Sequence, residues 1–388
     1  MPDFLKRICM DLSRLDRKNV WHPFTSLEEA DDPLLIKSAT GAYLHTNDGR
    51  RIIDAISSWW VNLHGHAHPA IAEAIAKQAT ELQHVIFAGF THEPAIRLAE
   101  NLLHILPGNQ EKVFFSDDGS TAVEVAIKMA VQYWSNQNKE KRNIIALEGA
   151  YHGDTFGSMS VASRGLFTQP FKPFLFETWF VDFPDPENEQ NAMAQFESLV
   201  EKHQPGIFIF EPLVQGASGM RIYRPEVLDR MIGFAHKRGI VTIADEVFTG
   251  FGRTGKLFAS EYLVNKPDII ALSKGITGGA LPLGVTTCSE KIVAAFRTSD
   301  FTKTFFHGHS YTANPLACAA ANASIEILSG DGCSESIARI SARQEEFAGK
   351  INRHPGVRRA QNLETILTIE VRSSVETAYR NKATRAIN

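Results

Sequence analysis

Two residues of opposite charge, Asp245 and Lys274, each follow a short apolar run with the composition of a buried strand. An unpaired charge at the end of a buried strand is unfavourable, so each residue needs a partner or a chemical use. One interpretation is a buried salt bridge between neighbouring strands. The other is a pyridoxal site, in which the lysine forms an imine with the cofactor and the aspartate keeps the pyridine nitrogen protonated, so that the ring accepts electrons.

Three polar segments favour the second interpretation. Asp118-Gly119-Ser120-Thr121 lies between a strand candidate and a helix candidate, where free N–H groups bind a phosphate, although such a helix cap is also ordinary. Tyr151 follows another strand candidate. Its ring either stacks on a cofactor or packs against other side chains at the edge of the sheet. Glycine-flanked turns at 277–279 and 307–310 permit close approach of a ligand. Neither these turns nor the three histidines at 64–68 have zinc-site spacing, so we expect no metal.

The elements that must position these residues alternate between strand and helix from about residue 92. Apolar runs separated by segments of helical period are typical of a parallel sheet with crossover helices on both faces. Such a sheet binds its ligand beyond the carboxyl ends of its strands. Ser116, Glu211, Asp245 and Lys274 are predicted to lie at those ends. The strand candidates are 112–117, 143–149, 206–212, 240–247, 268–274 and 282–289, and the helix candidates are 92–106, 120–134 and 226–239.

The two ends of the chain look different from this central part. Short strands are predicted near the start, with a turn signal at Asn47-Asp48-Gly49. Towards the end, two helices precede one further strand. We therefore expect a small α+β domain built from residues 1–60 and 316–388, beside a large cofactor-binding domain at 61–315. The predicted strands of the ends are 33–40, 42–49 and 364–372, and the predicted helices are 313–328 and 334–352.

Composition limits the class of protein. A chain of 388 residues exceeds what one core usually supports, and 44% hydrophobic with 22% charged residues is ordinary for a globular protein. The net charge of −4 gives no reason to expect nucleic acid or a membrane surface as partner. The apolar runs are too short to span a bilayer, and residues 1–18 do not resemble a secretory signal. Four scattered cysteines are expected to be reduced thiols, which predicts a cytoplasmic protein.

Four segments in a fixed order resemble the class III aminotransferases: Ala244–Val247, Gly250–Gly255, Ser273–Gly275 and Gly278-Gly279. The resemblance extends from about Trp21 to about Val371. It implies an α/β protein of fold type I, with a mostly parallel sheet flanked by helices in the large domain. It also implies pyridoxal 5′-phosphate as cofactor and a homodimer with shared active sites.

Within this class, three segments resemble the subgroup that converts 8-amino-7-oxononanoate to 7,8-diaminononanoate in biotin biosynthesis. They are Trp21–Thr25, Ser57–Trp60 with His64-Gly65, and Tyr151–Thr155, and Asn314–Ala321 also matches. The tryptophan doublet is the most informative, because two adjacent tryptophans cannot both face a core from one strand. The resemblance implies this keto acid as acceptor and S-adenosylmethionine as amino donor, although some members use lysine.

The resemblance also implies a role for individual residues. Lys274 binds the cofactor as an imine and then moves the proton, and Asp245 pairs with the pyridine nitrogen. Phe24 stands where the family has Tyr or Phe, so a hydroxyl contact from that position is absent. The implied cofactor contacts are Gly119 and Ser120 to the phosphate, Tyr151 and Val247 on the two faces of the ring, and Ser310 of the partner subunit. The implied substrate contacts are Trp59, Trp60, Phe24, Gly308 and Arg253.

One feature of the family pattern is not found. In the family, a helix and an Arg-Pro-x-Gly segment follow the strand that resembles 364–372, and their arginine binds the carboxylate of the keto substrate. We expect either a shortened chain or substitution by Arg372 or Arg380, with an unpaired strand edge and poor order beyond Ser373. Two other functions stay open. They are a class III ω-aminotransferase for a diamine or ω-amino acid, and a catalytically impaired pyridoxal-binding remnant.

Overall fold

The computed structural model describes residues 12–29 and 31–372. The expectations for Cys9, for Arg380 and for the order of the chain beyond Ser373 lie outside the described residues. The strands are β1 (Ile36–Thr40), β2 (Tyr43–Thr46), β3 (Arg51–Ile53), β4 (Gln110–Ser116), β5 (Ile144–Leu147), β6 (Trp179–Val181), β7 (Ile207–Phe210), β8 (Val214–Gln215), β9 (Arg221–Ile222), β10 (Val241–Asp245), β11 (Ile269–Leu272), β12 (Gly284–Ser289), β13 (Val357–Leu363) and β14 (Ile366–Val371).

The α-helices that connect and cover these strands are α1 (Leu12–Asn19), α2 (Pro69–Glu81), α3 (Glu93–Ile105), α4 (Gly119–Asn136), α5 (Phe156–Ser160), α6 (Glu189–His203), α7 (Pro225–Lys237), α8 (Glu290–Ala294), α9 (Pro315–Leu328) and α10 (Asp331–Ile351). Five of them agree with the predicted helical segments, namely α3, α4, α7, α9 and α10, whereas the other five were not predicted. Short 3₁₀ helices are Gln169–Phe174, Ala259–Tyr262, Lys274–Thr277 and Phe301–Lys303. A single helical turn, Ser57–Trp60, lies near the start and is described with the site.

A seven-stranded sheet in the order β4-β12-β11-β10-β7-β5-β6 forms the centre of the molecule. Six strands run in one direction, which confirms the predicted mostly parallel sheet and the fold class. The prediction that β12 is also parallel is wrong, because β12 pairs antiparallel with both β11 and β4. No α-helix connects β11 to β12, and without a crossover element the chain returns in the opposite direction. The three-residue edge strand β6 was missed because it is too short to show a period.

Alternating residues of the central strands build a core on each face of the sheet. Ile207 and Ile209 of β7 face α4, whereas Phe208 and Phe210 face α6 and α7 on the other side. All four side chains are fully buried. Burial on both faces is the reason that these strands read as continuous apolar runs, and it leaves the strand ends as the place for polar chemistry.

The ends of the chain form two smaller sheets. Strands β1, β2 and β3 are antiparallel, and Gly49 has a φ of 87° in the predicted turn between β2 and β3. Strand β14 pairs antiparallel with β13, a strand that was not predicted, and within the described ranges no strand pairs with the other edge of β14. Helix α10 packs on this pair. The division at residues 60 and 315 stays a proposal. In the described ranges, no helix is both long and apolar enough to cross a bilayer.

Candidate active site

Asp245 and Lys274 lie at the same edge of the sheet. Asp245 is the last residue of β10 and is opposite Ala271 in the parallel strand β11, and Lys274 follows three residues later. Asp245 is 4% exposed and Lys274 is partly buried. No ion pair within the described ranges joins the two side chains. The salt-bridge interpretation is therefore wrong for this pair, and Lys274 forms no ion pair in the described part of the chain.

A histidine holds the carboxylate of Asp245. His152 Nδ1 is 2.7 Å from Asp245 Oδ2, and the N–H of Val247 donates to Oδ1 at 3.0 Å. His152 is buried, so this contact is shielded from solvent. His152 was not predicted from the sequence to be a functional residue. The available signal was its position beside Tyr151, in the segment that follows β5.

Glu211 is a second buried carboxylate near this pair. It follows β7 and accepts hydrogen bonds from the N–H of Tyr151 at 3.0 Å and of Gly216 at 2.9 Å. Burial raises the pKa of Glu211 to about 7, an effect that His152 opposes and the charge of Asp245 reinforces. Glu211 therefore fixes the backbone of Tyr151. The sequence placed Glu211 correctly at a strand end but gave it no role.

Lys274 has an unusual environment for a lysine. Burial lowers its pKa, although the charges of Asp245 and Glu211 oppose that shift. Its Nζ atom lies 5.4 Å from the centroid of the Trp60 ring and 5.8 Å from that of Phe248. Lys274 itself has a φ of 44°, a strained value for a residue with a side chain. A lysine whose amine is more easily deprotonated suits nucleophilic and proton-transfer chemistry.

The N-terminus of α4 points to the same place. Asp118 caps the helix by accepting from Thr121 N at 2.9 Å, so the N–H groups of Gly119 and Ser120 stand at its tip. A β-carbon built on Gly119 would lie 2.7 Å from Val247 Cγ1, which leaves room for glycine alone. The Thr121 hydroxyl donates to Asp117 at 2.9 Å and is already used. This tip is a cradle for an anion such as a phosphate.

Trp59 and Trp60 lie on a left-handed turn rather than on a strand, because both have positive φ angles, 63° and 66°. The expectation that at least one of them lines a surface or cleft is nevertheless met. Trp59 is 54% exposed and its ring meets Phe24 at 5.8 Å, while Trp60 packs on Phe248 at 5.0 Å. The structure therefore brings Trp60 to Lys274, with Trp59 and Phe24 farther out.

Arg253 is a cation that contacts the backbone of this aromatic wall. Its Nη2 donates to the carbonyl of Trp60 at 2.8 Å, and burial alone lowers its pKa to about 10. Its buried Nε atom has no hydrogen-bond partner, and no carboxylate pairs with it in the part of the chain that is described. An uncompensated cation of this kind is a natural site for a substrate carboxylate.

Gly308 and Ser310 are not part of this cluster in a single chain. Both lie exposed on the loop between Lys303 and Ala313. Their neighbour His309 has Nε2 3.8 Å from Asp117 Oδ1, which brings the loop close to the tip of α4. The resemblance gives Ser310 to the site of a partner subunit, and one chain does not test that prediction.

Comparison with known proteins shows the same family along most of the chain. Residues 26–386 match the family described as aminotransferase class-III. A Synechococcus elongatus protein named adenosylmethionine-8-amino-7-oxononanoate aminotransferase is 54% identical over 318 residues, which are 80% of this chain and 75% of that protein. The Methanocaldococcus jannaschii enzyme of that name has a crystal structure with a TM-score of 0.89 and 36% identity, covering 93% of this chain and 84% of that one. A PLP-bound amine transaminase from an uncultivated Pseudomonas species has a TM-score of 0.87 and 30% identity, covering 92% and 84%.

Proposed function

This chain belongs to the class-III aminotransferases, and from that premise we propose that it transfers an amino group to 8-amino-7-oxononanoate, giving 7,8-diaminononanoate. The observation that carries the proposal is the 54% identity to a relative named for this reaction. We propose S-adenosylmethionine as the donor on the same ground. The reaction belongs to biotin biosynthesis, and we place it in the cytoplasm.

The residues at the edge of the sheet fit pyridoxal 5′-phosphate. Lys274 would hold its aldehyde carbon, Asp245 its ring nitrogen, and the tip of α4 at Gly119 and Ser120 its phosphate. Tyr151 and Val247 would cover the two faces of the ring. When bound, the cofactor supplies an electron-withdrawing ring that stabilises negative charge at the substrate carbon. The glycine cradle, the capped helix tip and the partly buried amine support this assignment.

The chain itself supplies the proton transfer and the electrostatics. The Nζ atom of Lys274 takes the proton from the substrate carbon and later returns one, and its lowered pKa brings the amine closer to the working pH. His152 holds the Asp245 carboxylate in one orientation, so its negative charge needs no rearrangement during the reaction. The rings of Trp60 and Phe248 lie beside Nζ and reduce its contact with water.

A turnover assay separates this function from the two alternatives. Purified protein with the cofactor is expected to form 7,8-diaminononanoate from the keto acid with S-adenosylmethionine, or with lysine if lysine is the donor. A class III ω-aminotransferase would instead prefer a diamine or a short ω-amino acid as donor. An impaired remnant would bind the cofactor and turn over none of these donors, and either result would overturn the proposal.

We propose that Arg253 binds a substrate carboxylate. Arg253→Ala is expected to weaken the binding of one of the two substrates about tenfold to a hundredfold, because a charge-assisted hydrogen bond contributes about 1.5–3 kcal/mol. Arg253→Lys keeps the charge but not the planar guanidinium group, so its substrate affinity should lie between those of wild type and Arg253→Ala. Dissociation constants are measured for each substrate separately by absorbance. The control is Arg224→Ala, which removes an arginine paired with Glu189. Affinities within twofold of wild type for both substrates would exclude this role.

We propose a homodimer in which Ser310 of the partner subunit completes each cofactor site. Co-expression of Lys274→Ala with Ser310→Trp tests this directly. Each variant alone should be inactive, yet the mixed dimer has one site with both native residues. The mixture should therefore recover roughly a quarter of wild-type activity, because half of the dimers are mixed and each has one working site. If Ser310 served its own subunit, no combination would recover activity.

A further inference from the structure

The turn that carries the two tryptophans is left-handed over four consecutive residues. The φ angles are 48° at Ser57, 48° at Ser58, 63° at Trp59 and 66° at Trp60. None of the four is glycine, and L residues disfavour this conformation because the β-carbon approaches the following carbonyl oxygen. Trp60 N donates to Ile56 O at 2.8 Å, so the segment has the backbone hydrogen bond of one α-helical turn but a left-handed conformation. A run of this kind persists only where its surroundings hold it.

Asp54 is the side chain that holds the turn. Its Oδ1 accepts from the N–H of Ser58 at 3.0 Å, and its Oδ2 accepts from the Ser58 hydroxyl at 2.7 Å. The Asp54 side chain is only 5% exposed, so its carboxylate is shielded from solvent although its partner Ser58 lies at the surface. Both carboxylate oxygens therefore act on the second residue of the turn.

His66 fixes Asp54 from the other side. Its Nε2 lies 2.8 Å from Asp54 Oδ2, and its own backbone is tied to the first sheet. His66 N donates to Gly41 O at 2.8 Å, and Gly41 N donates to His66 O at 3.2 Å. The left-handed turn is thus connected through two polar side chains to the hairpin of β1 and β2.

The turn sets four contacts in the candidate active site. The Trp60 ring lies beside Lys274 Nζ and packs on Phe248, and the Trp60 carbonyl accepts from Arg253. Trp59 presents its ring to Phe24. If the turn changed hand, both rings and the partner of Arg253 would move together. The conformation of the turn therefore controls the shape of the pocket in front of Lys274.

We propose that Asp54, held by His66, is a positioning residue that keeps Ser57–Trp60 left-handed and so shapes the pocket for the keto acid. This rests on the proposed function, because the keto acid is the substrate whose long apolar chain needs an aromatic wall. The contacts of Asp54 are to Ser58 and His66 rather than to the residues proposed to hold substrate or cofactor. It acts through the backbone of the turn.

The test compares Asp54→Ala with the double variant Asp54→Ala/Ser58→Gly in the cofactor-loaded protein. Asp54→Ala is expected to weaken keto-acid binding about tenfold, since small misplacements of a binding wall have effects of this size or larger. The visible band of the cofactor on Lys274 should stay. Glycine adopts positive φ readily, so the double variant should recover most of the affinity. If it binds no better than Asp54→Ala, Asp54 does not act through the left-handed backbone and the proposal fails.

A second readout does not depend on the reaction. The N–H groups of Trp60 and Val61 donate within the turn, to Ile56 O and Ser57 O. Their hydrogen exchange should rise about tenfold in Asp54→Ala if the carboxylate holds the turn. Asp48→Ala is the control, because it removes a carboxylate that caps the neighbouring β2–β3 turn. Unchanged exchange would overturn the positioning role even if wild type aminates the keto acid.

Two further outcomes are decisive. Faster exchange with unchanged keto-acid affinity would show that the turn is held but does not shape the pocket, which contradicts the proposal. If wild type does not accept the keto acid at all, the proposed function fails, whereas the exchange result still decides whether Asp54 holds the turn. If Asp54→Ala does not fold, Asp54→Asn replaces it. Asn retains an oxygen for Ser58 N, so a smaller change in the same direction is expected.

Discussion

Replacing Lys274 with alanine is expected to reduce amino transfer to background and to remove the covalent link between protein and cofactor. The physical reason is that Lys274 supplies the amine at this edge of the sheet, in an environment where burial lowers its pKa. The helix tip and Asp245 remain, so the cofactor should still bind, but without the visible band of the linked form. Absorbance spectra and steady-state turnover measure the two effects.

Borohydride reduction identifies the linked residue. In wild type, the mass of the reduced cofactor should be found on the peptide that contains Lys274. Lys266→Ala is the matched control, because Lys266 is also a lysine whose burial lowers its pKa, but its Nζ donates to backbone carbonyls, including that of Ser260. This control should keep both the band and the activity. A reduced adduct that persists in Lys274→Ala would show that another lysine holds the cofactor.

Asp245→Asn is expected to lower turnover by about 10²-fold or more while the cofactor still binds. Asparagine keeps the shape of the side chain but removes the fixed charge at the position where the ring nitrogen is proposed to lie. Losing one preorganised electrostatic element has effects of this size in other enzymes. Single-turnover kinetics on each half-reaction measures the loss of rate. Both half-reactions should be slowed, because both need negative charge to be stabilised at the substrate carbon.

The control for charge removal is Asp268→Asn. Asp268 is also buried, but it pairs with Lys291 away from the site. This variant should lower the melting temperature and leave the rate per folded enzyme close to wild type. If Asp245→Asn also kept a rate within a few-fold of wild type, the proposed role of its charge in the reaction would be refuted.

Much of the central fold could be predicted from the sequence because the inner strands β5, β7, β10, β11 and β12 are buried along their whole length. Strands β7, β10 and β11 therefore appear as separate apolar runs. The direction of β12 could not be read in this way, since an apolar run carries no information about orientation. Strand β13 was missed because four of its seven residues, Val357–Leu363, are polar and only two are buried.

The chemistry of the site was predictable only where a residue type was unusual in its place. Asp245 and Lys274 stand out because charges rarely end buried strands. His152 and Asp54 do not stand out, because their roles depend on contacts made by the fold, 93 residues apart for His152 and Asp245. The left-handed turn carried no signal either, since positive φ angles are usually marked by glycine and this turn has none.

The central claim is that this chain moves an amino group from a donor to 8-amino-7-oxononanoate through a cofactor on Lys274. The most direct measurement is an absorbance titration of the purified, cofactor-loaded protein. S-adenosylmethionine alone should remove the visible band as the cofactor accepts the amino group, or lysine should do so if it is the donor. The keto acid should then restore the band and release an equivalent amount of 7,8-diaminononanoate. A band that neither donor changes, or that the keto acid does not restore, would contradict the account.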